Sequence, residues 1–246
     1  MKVVATYNIK GGVGKTATAV NLAYEAARSG NRVLLWDLDP QAAATFFFRV
    51  RPSVKGGAKR LVSSSGALGA HLRATDHAGL DLVPADFSMR NLDLHLDSRK
   101  RPTRRIASLL EPLAEQYDLA ILDCPPGITL ASESVFAACD ALLVPTIPTT
   151  LSMRTLDQLV AFLAGADRPV VLPFVSMIDR RKKLQRDFLV ELFERMPAHL
   201  PTVIASTTVI ERMGIERAPV AVFAPRSQSA IVYRQLWADI AARLWT

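Results

Sequence analysis

The chain has 246 residues, and 30 Lys and Arg against 23 Asp and Glu give it a formal net charge of +7 at pH 7. This length can form one large domain with a sizeable core, and two cysteines are too few for a disulfide framework or for a metal site of their own. No run of 18 uncharged apolar residues occurs and the N-terminus lacks a signal-peptide core, so we expect one cytoplasmic domain over residues 1–246 and no membrane span.

The positive charge is concentrated in two short stretches. Residues 99–105 (RKRPTRR) and 180–186 (RRKKLQR) hold five basic residues each and no acid. Together they supply +10, so the rest of the chain sums to −3 (7 − 10). This distribution favours a polyanionic partner.

Short apolar runs alternate along the chain with helical patterns. The runs cover residues 2–8, 32–39, 79–85, 117–125, 140–148, 168–177 and 201–206, and helical spacing covers 16–30, 151–166, 183–196 and 229–245. Apolar runs without alternation are typical of strands buried on both faces. The pattern predicts an α/β fold with a doubly wound, mostly parallel sheet flanked by helices. Residues 49–77 are predicted to be a loop with one short helix.

The first motif, KGGVGKT at residues 10–16, follows the first predicted strand and opens a predicted helix, which is the context of a phosphate-binding P-loop. It departs from the usual G-x-x-x-x-G-K-[ST] pattern, because Ile9 stands where the first glycine is expected and a second lysine, Lys10, follows. Lys15 is expected to reach the β- and γ-phosphates of a nucleotide, and the Thr16 hydroxyl to bind Mg²⁺. The backbone amides expected to surround the phosphates are those of Gly11, Gly12, Val13 and Gly14. The alternative is a glycine-rich turn before an ordinary helix.

The second motif, WDLDPQAAAT, lies at the end of the second predicted strand. Asp37 and Asp39 are two residues apart, so on a strand their side chains would point the same way, towards the edge of the sheet where ligands bind. Asp37 is expected near Mg²⁺, and Asp39 is expected to hold water near the γ-phosphate. An Asp-Pro turn explains the same letters.

The third motif, DLAILDCPPG, is a hydrophobic strand that ends in Asp123. This is the form of a Walker B site, in which the carboxylate at the end of the strand binds Mg²⁺ through water. The candidate magnesium ligands are therefore Thr16, Asp37, Asp39 and Asp123. A strand-terminal aspartate that caps a turn is the alternative for Asp123.

The three motifs in this order resemble the deviant Walker A ATPases of the ParA/MinD superfamily, and most of all its ParA/Soj type. The resemblance implies an ATP- and Mg²⁺-dependent ATPase that forms a homodimer on binding ATP. Lys10 matches the signature lysine that reaches the partner's nucleotide, and Asp39 matches a residue needed for hydrolysis, so Lys10, Lys15 and Asp39 are the implied catalytic residues. The family often has a second hydroxyl where this chain has Ala17, so here the backbone amide of Ala17 is expected to meet the α-phosphate.

The ParA type also implies ATP-dependent, nonspecific binding to double-stranded DNA on the nucleoid, and a ParB-like or cargo adaptor protein that stimulates hydrolysis. Basic residues of this kind neutralise phosphates regardless of DNA sequence. The candidate DNA-binding residues are Arg180, Arg181, Lys182, Lys183 and Arg186, with Arg212 and Arg217 as weaker candidates. A solvated face is the alternative, and whether residues 99–105 take part stays open.

Two other functions compete with this reading. A MinD-like ATPase that positions cargo at a membrane would need a C-terminal amphipathic helix free to lie on lipid. A metabolic enzyme on the same scaffold, such as an ATP-dependent synthetase or an iron–sulfur reductase, would need further site residues; Cys124 and Cys139 are poorly placed for a cluster, and the four histidines are scattered.

Overall fold

The computed structural model describes residues 1–63, 66, 68–165 and 169–245. Within these residues seven strands form one sheet, in the order β3-β4-β2-β5-β1-β6-β7. The strands are β1 (Lys2–Thr6), β2 (Val33–Asp37), β3 (Arg73–Ala74), β4 (Leu80–Val83), β5 (Leu119–Asp123), β6 (Ala141–Thr146) and β7 (Val170–Val175). Neighbouring strands are parallel except β3, which pairs antiparallel with β4 at one edge.

Helices connect the strands and cover the sheet. They are α1 (Lys15–Arg28), α2 (Ala43–Phe47), α3 (Gly57–Leu61), α4 (Leu92–Asp97), α5 (Arg105–Leu110), α6 (Leu130–Phe136), α7 (Thr150–Phe162), α8 (Lys183–Arg195), α9 (Thr208–Glu211), α10 (Met213–Glu216), α11 (Val220–Phe223) and α12 (Gln228–Leu244). Short 3₁₀ turns cover Leu68–His71, Phe87–Asn91, Pro102–Arg104 and Glu111–Leu113. The predicted doubly wound α/β fold is confirmed.

The central strands are apolar at nearly every position because both faces of the sheet are covered. Successive side chains of a strand point to opposite faces. In β2, Leu34 and Trp36 belong to one apolar cluster and Val33 and Leu35 to another, and all four are fully buried. The first cluster packs against α5, α6, α7 and α8, and the second against α1 and α12. This is why the sequence shows apolar runs without alternation.

The predicted strand at residues 201–206 is wrong. Its segment runs beside β7, where the amides of Leu200 and Ile204 donate to the carbonyls of Pro173 and Val175, both at 2.9 Å. Pro201 has no amide to donate, and only an isolated bridge, from Ala205 to Ile178, follows. The segment therefore lies along the sheet without extending the ladder.

The segment predicted to be a loop, residues 49–77, holds α3, a 3₁₀ turn and the edge strand β3. Residues 64, 65 and 67 of this segment lie outside the described part of the chain. Both residues of β3 are exposed, so no apolar pattern marks this strand in the sequence.

The strand order brings the ends of β1, β2 and β5 together. Thr6 and Asp37 both lie in register with Asp123, one on each side of it. The carboxyl edge of a parallel sheet is where such folds bind ligands. The fold therefore gathers at one edge side chains that are up to 117 residues apart in the sequence.

The centre of the sheet should tolerate truncation poorly. We expect Ile121→Ala to lower the free energy of unfolding by about 2–5 kcal/mol, because Ile121 is fully buried and its loss leaves a cavity. Val170→Ala, at a strand position that is 56% exposed, is the matched control and should change it by about 0.5 kcal/mol or less. Urea denaturation measures both variants, and equal losses would contradict this account of the core.

Candidate nucleotide site

The P-loop joins β1 to α1 and is tied to two neighbouring loops. The Lys10 amide donates to Asn8 Oδ1 at 2.9 Å, and Asn8 Nδ2 donates to the Pro145 carbonyl at the end of β6 at 3.0 Å. The Gly127 amide donates to the Ile9 carbonyl at 3.1 Å, and the Tyr7 hydroxyl donates to the Gly127 carbonyl at 3.0 Å. The loop is thereby held against the segments that follow β5 and β6.

Two glycines give the loop its path. Gly12 and Gly14 have φ values of 71° and 93°, a region that side chains with a Cβ rarely adopt. A Cβ on Gly14 would stand 3.1 Å from Ser176 Oγ, because the segment after β7 packs closely there, whereas a Cβ on Gly11 would meet nothing within 4 Å. Gly14 is also the N-cap of α1 and has no capping side chain, so the first amides of this helix have no side-chain acceptor at the cap. Such amides are suited to binding phosphate.

Lys15 is buried, with 7% of its surface exposed, and its Nζ donates to the Lys10 carbonyl at 3.0 Å. Burial lowers the pKa of Lys15, while the nearby Asp123 carboxylate acts in the opposite direction. The ammonium therefore sits inside the loop, beside the carboxylate at the end of β5.

Asp123 and Asp37 are adjacent across β5 and β2, and both are fully buried. Burial raises the pKa of Asp123 well above its ordinary value, and the Asp37 carboxylate raises it further, while the hydroxyls of Thr16 and Thr6 act against this. Thr6 Oγ1 donates to Asp123 Oδ1 at 3.2 Å, but Oδ2 has no hydrogen-bond partner among the described residues. A buried carboxylate oxygen without a partner is costly, and a cation or a water held by one would satisfy it.

Asp37 has a different role, because its hydrogen bonds organise the loop that follows β2. Its Oδ2 accepts from the Thr45 amide at 2.9 Å and from the Thr45 hydroxyl at 2.7 Å, and its Oδ1 accepts from the Asp39 amide at 3.1 Å. Burial raises the pKa of Asp37 to about 6, against the effect of the Thr45 bonds. The carboxylate thus holds α2 at the edge of the sheet.

Asp39 does not lie on the strand, so the expectation that it shares a strand face with Asp37 is wrong. β2 ends at Asp37, and the turn after it brings the Gln41 amide to Asp39 Oδ1 at 2.9 Å. Asp39 is only partly buried, and its Oδ2 makes no hydrogen bond to the described residues. Of the two aspartates, Asp39 is the one that keeps an oxygen available at the mouth of the site.

The remaining P-loop residues occupy the places expected of a phosphate-binding loop. Thr16 and Ala17 lie in the first turn of α1, and Val13 is buried. Lys10 is partly exposed, and its ammonium makes no hydrogen bond or ion pair within the described part of the chain. The amide and hydroxyl roles assigned to these residues from the sequence stay predictions.

No group of three or more His, Cys, Asp or Glu residues is gathered for metal binding anywhere in residues 1–63, 66, 68–165 and 169–245. Mg²⁺ does not need such a cage, because it usually keeps several waters and binds one or two carboxylates together with substrate phosphates. Asp123 and Thr16 fit this donor set. Both cysteines are buried and free.

Several residues that shape the site are not predicted as site residues from the sequence. Asn8, Thr45, Gly127 and Ser176 contact the P-loop or the carboxylate pair, and Tyr7 contacts Gly127. A weak signal exists for Asn8, since a polar side chain directly after a buried strand lies at the ligand edge of the sheet. Thr45 and Gly127 lie within the second and third motifs, but the contacts of Tyr7, Gly127 and Ser176 join distant segments, which spacing along the chain does not show.

The basic segment at residues 180–186 forms the turn after β7 and the start of α8. Arg181 is paired with Asp179, with Nε to Oδ1 and Nη2 to Oδ2 both at 2.9 Å, and Arg186 donates to the Arg180 carbonyl at 2.8 Å. Within the described chain, Arg180, Lys182 and Lys183 form no ion pair. Three cations of this segment are therefore available to a ligand.

The two weaker DNA-binding candidates are occupied by contacts within the protein. Arg212 is paired with Glu216 and lies 5.5 Å from the centre of the Phe223 ring. Arg217 lies 4.4 Å from the centre of the Phe46 ring and donates from Nε to the Phe46 carbonyl at 3.2 Å. Arg217 thus joins the end of α10 to α2.

None of the helices in the described residues is long and apolar enough to span a bilayer. The amphipathic C-terminal segment forms α12, whose apolar side chains Tyr233, Leu236, Trp237 and Ile240 are buried in the cluster shared with α1. The apolar face that a membrane anchor would need is therefore used inside the protein.

Comparison with known proteins identifies the family. The AAA domain family matches residues 1–169. Over 98% of both chains, the sequence is 27% identical to the sporulation initiation inhibitor protein Soj of Bacillus subtilis. It is also 32% identical to the chromosome partitioning protein ParA of Myxococcus xanthus, over 64% of this chain and 56% of that protein. The chain belongs to the ParA/MinD-type partition ATPases.

Solved structures of this scaffold agree with the fold. Apo McdA from Cyanothece superposes with a TM-score of 0.82 at 21% identity, over 98% of this chain and 99% of that one. Cobyrinic acid a,c-diamide synthase from Mycobacterium smegmatis, solved with bound ADP and magnesium, gives a TM-score of 0.79 at 27% identity, over 100% of this chain and 95% of that one. Partition ATPases of this type thus share their scaffold with a synthase.

Gly11 and Gly14 of the P-loop should respond differently to substitution by alanine. We expect Gly14→Ala to lower the free energy of unfolding by about 1–3 kcal/mol, because its φ of 93° and the Ser176 contact both oppose a Cβ. Gly11→Ala has neither obstacle and is the matched control, which should unfold like the parent protein. Urea denaturation distinguishes them; a Gly14→Ala protein as stable as the Gly11→Ala protein would contradict the described loop geometry.

Proposed function

We propose that the chain is a Mg²⁺-dependent ATPase whose ATP-bound form is a homodimer that binds double-stranded DNA nonspecifically. Hydrolysis, stimulated by a ParB-like or cargo adaptor protein, separates the dimer and releases it from the nucleoid. Repeated cycles position or segregate a plasmid, a chromosome or a protein complex. The observation that carries this proposal is the second P-loop lysine, Lys10, which is partly exposed and whose ammonium makes no hydrogen bond or ion pair within the described residues, beside the loop predicted to bind phosphate.

The nucleotide and metal fit the residues present. The open space over Gly11 and Gly12, the uncapped start of α1 and the Lys15 ammonium are suited to a chain of phosphates. Bound Mg²⁺ neutralises charge between the β- and γ-phosphates. Asp123 Oδ2, which is buried without a partner, and the Thr16 hydroxyl beside it are the groups that would hold the metal. On nucleotide binding, Lys15 would exchange its bond to the Lys10 carbonyl for phosphate oxygens.

Lys10 supports dimerisation because its own chain offers it no partner among the described residues. Its backbone is held by Asn8 and by Lys15, so the loop is fixed while the side chain is left to reach outward. A cation supplied by a second subunit neutralises charge that develops on the transferred phosphoryl group, as an arginine finger does. In this proposal each site is complete only in the dimer.

Asp39 is the group best placed to orient the attacking water. Its turn is held by Asp37 and by the Gln41 amide, which leaves Oδ2 free of bonds to the described chain. Asp37 itself is committed to Thr45, so we assign it a structural role beside the metal site rather than a direct bond to the metal.

DNA binding is assigned to the turn at residues 180–186. Arg180, Lys182 and Lys183 are exposed and unpaired within the described residues, so they can neutralise DNA phosphates without first breaking an ion pair. Arg181 is held by Asp179, and Arg212 and Arg217 by Glu216 and Phe46, so these three should contribute less.

Removal of the Lys10 ammonium should separate binding from turnover. We expect Lys10→Ala to bind ATP with the parent's affinity, while its hydrolysis falls by about 10³-fold, the lower range of an arginine-finger contribution. Lys15→Ala should lose ATP binding itself. Fluorescent-nucleotide titration and phosphate release measure the two quantities, and Lys55→Ala, an exposed lysine outside the site, is the control.

A mixing experiment tests whether Lys10 acts across the dimer. We expect Asp39→Ala to bind ATP and dimerise without turnover. In a mixed dimer, the site of the Lys10→Ala subunit has an intact Asp39 and receives an intact Lys10 from the Asp39→Ala subunit. Phosphate release should therefore reappear when the two inactive variants are mixed. If mixing restores nothing although mixed dimers form in light-scattering measurements, Lys10 does not act in trans.

Charge reversal tests the DNA surface. With ATP present, we expect Arg180→Glu combined with Lys182→Glu to weaken duplex binding and to reduce the slope of log K against log salt by about 2, one for each lost phosphate contact. Fluorescence anisotropy with two unrelated duplexes measures this. Lys55→Glu with Lys59→Glu makes the same change in net charge at exposed positions elsewhere, and an equal loss there would assign the effect to net charge alone.

A further inference from the structure

The other basic stretch, residues 99–105, is gathered around one concave pocket rather than spread over a helix face. Five cations line it: Arg99, Lys100, Arg101, Arg104 and Arg105. Arg99, Lys100 and Arg101 lie between α4 and the 3₁₀ turn, Arg104 is the last residue of that turn, and Arg105 is the first residue of α5. The lining shares no residue with the P-loop or with the turn at residues 180–186.

These cations are not neutralised by the protein. Within the described chain, no ion pair joins any of the five to an acid, and the single acid in the lining, Glu111, is exposed. Like charges packed this closely repel one another; burial and the neighbouring Arg99 both lower the pKa of Arg105. An anion in the pocket would relieve this repulsion.

Two arginine nitrogens of this cluster are buried without a partner. Arg105 is held by the Val62 carbonyl, 3.0 Å from Nε, and by Ser108 Oγ, 3.3 Å from Nη1, while its Nη2 is buried and has no partner among the described residues. Arg99 Nε is likewise buried and unpartnered in that part of the chain. Buried donors without acceptors are costly, so they add to the uncompensated positive charge of the lining.

We propose that this pocket binds a compact polyphosphate anion, either the phosphate chain of a nucleotide or free polyphosphate, at a site separate from the P-loop. Guanidinium groups match phosphate because their fork of N–H donors bonds two oxygens at once. Five cations in one concavity suit a ligand that carries several negative charges in a small volume. Duplex DNA fits less well, because its backbone is the convex surface of a wide rod, whereas the five cations surround a concavity.

The contrast with residues 180–186 separates the two basic clusters. There the cations project from a turn, and the best-held arginine is already paired with Asp179. In the pocket, none of the five cations is paired with an acid within the described residues, and Arg105 is held by a main-chain carbonyl and a hydroxyl. This inference goes beyond the proposed DNA-binding ATPase and does not depend on it.

Titration calorimetry with inorganic tripolyphosphate tests the pocket. The full-length chain carries Lys15→Ala so that the P-loop's own phosphate affinity is removed, and the titration is repeated with the parent chain. We expect Arg99→Gln combined with Arg104→Gln to weaken tripolyphosphate binding by about 10- to 100-fold, as expected for the loss of charged hydrogen bonds. Lys55→Gln with Lys59→Gln removes the same charge at exposed positions outside both basic stretches and should leave the tripolyphosphate affinity within about two-fold of that of the Lys15→Ala chain.

Arg99→Lys separates a built site from simple charge attraction, since it keeps the charge and removes the buried Nε donor. We expect weaker binding than in the parent, and unchanged affinity would overturn the proposal. Thermal unfolding with and without tripolyphosphate checks that each variant is folded. If the double variant is not folded, the single variants Arg99→Lys and Arg104→Gln replace it.

Further ligands then distinguish the sources of phosphate. If ADP binding is lost in the pocket variant but kept in the control variant, the ligand of the pocket is a nucleotide. If tripolyphosphate binds and ADP does not, the ligand is free polyphosphate. Either outcome supports the site. No binding of either ligand, or equal losses in pocket and control variants, would refute it. A pocket variant that loses only duplex DNA affinity, measured by anisotropy, would also overturn it and would place residues 99–105 in the DNA surface.

Discussion

Two carboxylates buried side by side at the ends of β2 and β5 are the constraint on which the site depends. Moving a carboxylate out of water is costly unless it is bonded or paired. Asp37 is satisfied by Thr45 and by the Asp39 amide, which also places α2 and the turn that carries Asp39. Asp123 is satisfied on one oxygen only and lies near the buried Lys15. The protein thus uses one aspartate for structure and leaves the other for a ligand.

The P-loop is held on several sides by neighbouring segments. Asn8 connects it to the end of β6, Tyr7 and Ile9 connect it to Gly127, and Gly14 packs against Ser176 beyond β7. A loop held on several sides loses little conformational entropy when it binds phosphate, which is the general advantage of a preorganised site. The same anchors restrict the backbone of Lys10 while its side chain makes no bond to the described chain.

The two basic clusters are alike in composition and different in structure. The cluster at residues 180–186 lies on an exposed turn at the start of α8, where Arg181 is paired with Asp179. The cluster at residues 99–105 surrounds a concavity, and two of its arginine nitrogens are buried without acceptors among the described residues. Charge density alone therefore does not define the ligand, because accessibility decides whether a broad backbone or a compact anion can reach the donors.

The sequence alone predicts every strand except β3, the long helices α1, α7, α8 and α12, the P-loop motif and the aspartates at the ends of β2 and β5, because these depend on local apolar patterns and on contiguous motifs. It does not predict the short helices α2, α4, α5, α6, α9, α10 and α11. The edge strand at Arg73–Ala74 and the irregular path of residues 201–206 could not, since one lacks apolar residues and the other lacks an amide at Pro201. Only the tertiary structure shows that Asp37 and Asp39 have different environments. It also shows that Arg181 is paired with Asp179, that Arg217 contacts Phe46, and that residues 99–105 surround one pocket. The contact of Arg217 with Phe46 joins segments far apart in the chain. The bonds of Asp37 to Thr45 and of Arg181 to Asp179 depend instead on the local path of the backbone and on burial, which the identity of neighbouring residues does not reveal.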